Sequence, residues 1–144
     1  MRPPLLSLIC FAVTVSSCKK YGLTSKTDLL TDGKWKVTAH TQICYCGSGF
    51  GTSSRDLYAS YPTCKRDDYY LFNKSGAVEV NEGAVKCYPN NAQSYMDSWS
   101  FQNDKSSILF NNTVWNIVLL NKTTFVITTV VLLGTGETIT FSKL

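Results

Sequence analysis

Histidine is almost missing from this 144-residue chain, which has one, His40. A single imidazole excludes multi-histidine metal centres, and no serine sits in a recognisable strand–turn–helix nucleophile setting. Charge is scarce too. Charged residues make up 17% of the chain and the formal net charge is +4, too mild and too dispersed for a nucleic-acid surface. No uninterrupted apolar run approaches the ~20 residues a membrane-spanning helix needs. Past the N-terminal stretch, helical periodicity never persists beyond about two turns, and no repeat or low-complexity tract appears. What is abundant is apolar and aromatic matter, 44% and 12%. Those proportions fit a packed core and argue against disorder.

The N-terminus has an export pattern: Arg2, then the uncharged apolar stretch Leu5 to Val15, then Val15-Ser16-Ser17-Cys18. Small residues before a cysteine resemble the lipobox of bacterial lipoproteins. The resemblance implies that residues 1–17 are a signal peptide and that Cys18, acylated (palmitate among its chains), opens the mature protein. Each buried acyl CH₂ contributes about 0.8 kcal/mol, so several chains together hold a protein lastingly on a membrane. Losing Arg2 takes the net charge from +4 to +3. Lys19 and Lys20, beside the anchor, add roughly 1 kcal/mol per charge on anionic head groups. Residues 18–32 are polar and small and read as a tether with a helical turn near Asp28 to Leu30; residues 33–144 form one domain.

Six cysteines are present. With Cys10 leaving in the signal and Cys18 lipidated, Cys44, Cys46, Cys64 and Cys87 remain, an even set in an oxidising compartment that allows three pairings. Cys44 with Cys46 would close a strained one-residue loop. A zinc site built on Cys44, Cys46 and His40 fits no common spacing, so neither metal nor cofactor is expected.

From Gly33 the pattern turns to period two. Trp35, Val37 and Ala39 alternate with Lys34, Lys36, Thr38 and His40, which describes a half-buried strand whose wet face carries His40. Residues 42–63, rich in glycine and serine, read as a long loop with a helical turn near Arg55 to Ala59. Strand-like runs then follow at 68–73, 77–81, 95–102, 107–110, 114–120, 124–132 and 137–143, making eight in all. Asn, Asp and Gly fall at the breaks because they tolerate the positive φ of tight hairpins. The three Asn-x-Ser/Thr sequons starting at Asn73, Asn111 and Asn121 are read as such turns. The fold class is all-β: an eight-stranded antiparallel up-and-down barrel, with a two-sheet sandwich as its rival.

Barrel closure pairs the first strand with the last, which places Trp35 beside Lys143 at one barrel end with the ammonium over the indole. Gly33-Lys34-Trp35 resembles the Gly-x-Trp that opens the lipocalin barrel, and Lys143 takes the place of the basic residue that covers that tryptophan. The block Cys64-Lys65-Arg66-Asp67-Asp68-Tyr69-Tyr70-Leu71-Phe72, with Asn73-Lys74-Ser75-Gly76 and Glu82-Gly83 to Cys87, resembles more closely the lipocalin-like lipoproteins of Bacteroidetes. That resemblance covers residues 33–144 and implies a lipocalin-like barrel, a Cys64–Cys87 bridge and no established activity. It also implies an outer-membrane anchor. Bacteroidetes surface-export signals resemble an acidic patch just after the cysteine; the absence of one before Asp28 favours the periplasmic face.

By strand parity Trp35, Tyr70, Phe72, Trp99, Phe101, Phe110, Trp115, Phe125 and Phe141 project to one side, the interior of a closed sheet. They either fill it or line an apolar pocket; in the second case Trp35, Tyr70, Phe72, Trp99, Phe101, Trp115 and Phe125 are the ligand contacts. Asp67 and Asp68 point to opposite faces and read as loop caps paired with Lys65 or Arg66, and Glu137 stands alone. Two functions compete. One is a non-enzymatic envelope barrel binding a small apolar or amphipathic ligand. The other is a rigid scaffold that meets a protein or glycan through Tyr45, Phe50, Tyr58 and Tyr61 of loop 42–63. No catalytic residues are nominated. The anchor is tested with Cys18→Ala: the variant is expected to leave the membrane fraction after a carbonate wash, and retention there contradicts lipidation.

Overall fold

The computed structural model describes residues 24–45, 52–131 and 134–144. Residues 1–17, read above as a signal peptide, and Cys18, Cys46 and Phe50 lie outside them. A short helix α1 (Lys26–Thr31) leads into strand β1 (Lys34–Tyr45), followed by β2 (Thr52–Asp56), a 3₁₀ turn at Tyr58–Ser60 and a one-turn helix α2 (Thr63–Arg66). Strands β3 (Tyr69–Phe72), β4 (Ala77–Asn81), β5 (Ser94–Gln102), β6 (Ser107–Phe110), β7 (Thr113–Leu120), β8 (Thr124–Val131) and β9 (Thr135–Lys143) complete the chain. From β3 to β9 each strand pairs antiparallel with the next, and β9 returns to β1. The result is a closed eight-stranded up-and-down barrel with β2 as a ninth strand outside the ring. β3 occupies the flank of β1 at Lys34–Lys36, and β2 occupies the same flank at Thr41–Tyr45.

Turn chemistry follows the residues. Asn111 and Asn112 both take positive φ, 50° and 55°, as the two-residue β6–β7 hairpin requires. Asn121 closes the β7–β8 turn by accepting from the backbone N–H groups of Thr123 and Thr124.

The seam between β1 and β9 closes the ring. Trp35 sits opposite Lys143 and Val37 opposite Phe141. Lys143 Nζ lies 5.8 Å from the Trp35 ring centroid and 2.9 Å from Asp32 Oδ2. Gly33 explains the glycine of the motif: its φ is +109°, and a Cβ there would collide with the Lys143 side chain. The C-terminal strand is secured to its end, since Lys143 N donates to Thr123 O and Leu144 N to Lys34 O.

Residues 24–32 behave differently from the expected tether. Ser25 caps α1 by accepting from Asp28 N at 3.0 Å, and Leu30 is fully buried beneath the helix. Trp35 Nε1 donates to Leu30 O at 2.8 Å. The helix is therefore a plug over the Trp35 end, and among the described residues the packed body includes Ser25 to Asp32 as well as the strands from Lys34 on.

The loop expected over 42–63 is also more ordered. β1 continues to Tyr45 and β2 pairs back on it, with Leu57 N donating to His40 O at 2.8 Å. Every β2 residue is exposed, so the strand leaves no alternation to read.

Trp35→Ala removes a fully buried indole and is expected to cost about 3–5 kcal/mol of unfolding free energy in urea denaturation. A loss within experimental error contradicts its place in the core.

Candidate functional site at the open end of the barrel

The interior divides into a filled end and a hollow end. At the α1 end, Trp35, Phe72, Phe125 and Phe141 are all but inaccessible. Phe125 stacks on Phe141 at 5.3 Å and meets Trp35 edge-on at 5.9 Å, while Phe72 meets Trp99 at 5.7 Å. All three indole N–H groups are satisfied by carbonyls: Leu30 for Trp35, Asn73 and Ala77 for Trp99, Phe110 for Trp115. Of these rings, Trp35, Phe72, Trp99 and Phe125 pack as a core and border neither of the cavities described next.

The opposite end holds two adjoining cavities of about 290 and 220 Å³ that share Val37, Tyr61, Tyr70, Val80 and Tyr95. The outer lobe adds Pro62, Lys65 and Asp68. The inner lobe adds His40, Asp97 and Glu137 over a floor that includes Phe110, Trp115 and Phe141. Of the seven aromatics expected to contact a ligand, Tyr70 and Trp115 line this space. Trp35, Phe72, Trp99, Phe101 and Phe125 line neither lobe.

His40 is the main correction. It faces the interior, not the wet surface, because β1 carries a bulge: Val37 pairs with Phe141 but Ala39 with Thr140, leaving Thr38 as the extra residue. One added residue reverses parity, so His40, opposite Ile139, and Gln42, opposite Glu137, turn inward. His40 Nδ1 lies 2.8 Å from Tyr61 Oη and Nε2 lies 3.1 Å from Glu137 Oε2. In the neutral ring, Nε2–H donates to the carboxylate and Nδ1 accepts from the phenol. Gln42 Nε2 donates to Glu137 Oε1 at 3.2 Å. Burial, with Glu137 nearby, pushes the Tyr61 phenol up, so it stays protonated and able to donate. Glu137, expected to stand alone, thus anchors a network on the inner wall.

Tyr61 reaches the mouth from the segment before α2. Arg66 holds that segment, donating from Nη2 to Ala59 O and from Nε to Tyr61 O. Cys64 is bonded to Cys87, 23 residues on, which ties α2 to the β4–β5 connection. Cys44 carries a free thiol.

Asp67 and Asp68 part as their parity requires. Asp67 Oδ2 caps the β4–β5 connection, accepting from Ala84 N at 2.7 Å and Val85 N at 2.9 Å. Asp68, 7% exposed, turns to the outer lobe and meets Lys65 Nζ at 3.4 Å through Oδ2; its Oδ1 is buried without a partner. Burial pushes its carboxyl up, against the pull of Lys65, and Glu82 and Asp67 push the same way. Among the described residues no group of three or more His, Cys, Asp or Glu is arranged to hold a metal ion, and no helix is long and apolar enough to cross a membrane.

Neither a protein-family model nor a curated protein matches the sequence.

Proposed function

We propose that this chain is a lipid-anchored, lipocalin-like lipoprotein of a bacterial envelope whose barrel takes a small amphipathic ligand into its open end. The cavity between Tyr61, Tyr70, Val80 and Tyr95 carries the reading: a concave, half-apolar space with a few convergent polar groups, near the lower size limit of small-molecule sites. Its mixed lining favours an amphipathic guest over a purely apolar one, and the filled end limits how deep that guest penetrates. Affinity comes from burying the guest's apolar surface.

For the competing scaffold reading, two of the four aromatics that suggested it, Tyr58 and Tyr61, are turned the other way. Tyr58 and Tyr61 pack inward against the core, 5.4 Å apart, instead of standing out for a partner. His40 is read as part of the pocket wall, its two ring nitrogens bonded to Tyr61 and Glu137. The Cys64–Cys87 bond suits an oxidising compartment and so accords with export. Residues 24–32 pack as a plug at the end of the barrel away from the mouth.

Val80 borders both lobes, so Val80→Trp should plug them. The neutral solvatochromic dye prodan is expected to bind the mature protein saturably with a blue-shifted emission. The plugged variant, with unchanged circular dichroism, should lose that signal. Equal dye binding in both proteins places the ligand elsewhere and defeats the proposal.

A further inference from the structure

The mouth cavity has a charge character opposite to that of the whole molecule. The chain carries a formal net charge of +4, yet the carboxylates bordering the two lobes, Asp68, Asp97 and Glu137, come from three different strands or their edges. Against them stand Lys65, whose own side chain is 43% exposed at the rim, and His40. Between the carboxylates stand three tyrosine rings: Tyr61, Tyr70 and Tyr95. Aromatic faces and carboxylates together attract an ammonium group, the first through the ring quadrupole and the second through charge.

The second observation is Asp68. It is more than nine-tenths buried, it borders the outer lobe, and its Oδ1 has no hydrogen-bond partner. A buried carboxyl in this state is costly when ionised, and protonation or an approaching positive charge relieves it. Lys65 answers one oxygen at 3.4 Å and leaves the other unanswered. Behind it, Asp67 and Glu82 each bury a further carboxyl oxygen without a partner, which deepens the negative potential on that side. Glu137 is already bonded to His40 and Gln42, so it contributes field more than contact.

Resting on the ligand-binding reading above, we infer that the guest is an organic cation: an amine or quaternary ammonium on a short apolar body, its head among Tyr61, Tyr70 and Tyr95 beside Asp68 and its tail toward the Phe110–Trp115 floor. A fatty acid or other anionic amphiphile meets the wrong potential there.

Three probes sharing one tail separate the possibilities: octyltrimethylammonium, octanol and octanoate, each titrated into the mature protein near neutral pH and low salt with prodan displacement as the readout. The cation is expected to bind about tenfold more tightly than octanol, the size of one favourable desolvated cation–π or charge contact, with octanoate weakest. Asp68→Asn should erase most of that preference while leaving octanol binding unchanged. Tyr95→Leu, at a half-exposed position where the fold tolerates change, should weaken the cation selectively if Asp68→Asn fails to fold. Equal affinities for all three probes, or preference for octanoate, overturn the cation inference and leave the pocket standing. Binding of none overturns both. An undiminished preference for the cation in Asp68→Asn, or in Tyr95→Leu where that variant is the one that folds, overturns the head-group placement.

Discussion

Trp35 and Lys143 meet across the seam where the first strand joins the last, and the barrel exists because that seam closes. Without it, β1 and β9 would each present a row of unpaired backbone groups. Gly33 clears the space for the Lys143 stem, Asp32 holds its ammonium, and Leu30 caps the indole from above. The contact is small in energy, about 0.5–2 kcal/mol for the cation over the ring; it marks the first pair of the seam's register, which the bulge at Thr38 then shifts by one residue. Once that register is set, each inward position on β9 has a determined neighbour on β1.

The same seam carries the bulge at Thr38, and the bulge gives the barrel its two ends. Below it, Trp35 faces inward into the packed aromatic core, and Val37 faces inward at the boundary between that core and the hollow. Above it, the inward residues are His40 and Gln42, and they meet Glu137 on β9. One extra residue thus exchanges an apolar wall for a polar one within a single strand. The hollow lies where the polar wall begins, roofed by Tyr61 and bordered by Asp68 on the far side. Filling one end rigidly and leaving the other open suits a binding protein, because a packed scaffold holds the mouth residues in place for a guest.

Much of this fold was legible in the residues. Period-two alternation marked the strands, Asn111-Asn112 and Asn73 to Gly76 marked turns, and parity put nine aromatic rings on one face. The Gly-x-Trp and the closing lysine indicated the seam. The hollow was not legible, for a physical reason: a bulge adds one residue without any compositional mark, and Thr38 suits a regular strand as well as an irregular one. His40 and Glu137, 97 residues apart, were therefore separated on paper and joined in space. β2 escaped because an exposed strand outside the ring has no buried face to alternate with. Asp68 read as a loop cap because its charge gave no hint that it would be buried. Sequence patterns report burial, and the polar residues turned inward broke that link.

The central claim is that guests enter the mouth and leave the aromatic end untouched. Amide and indole chemical shifts of the ¹⁵N-labelled protein, followed during titration with octyltrimethylammonium, test it directly. The account predicts progressive shifts at Tyr61, Tyr70, Tyr95 and Glu137, with the Trp35 indole and Leu30 amide unmoved. Shifts centred on Trp35 and Leu30, or on the outer face of the barrel around Val114 and Val118, would contradict it.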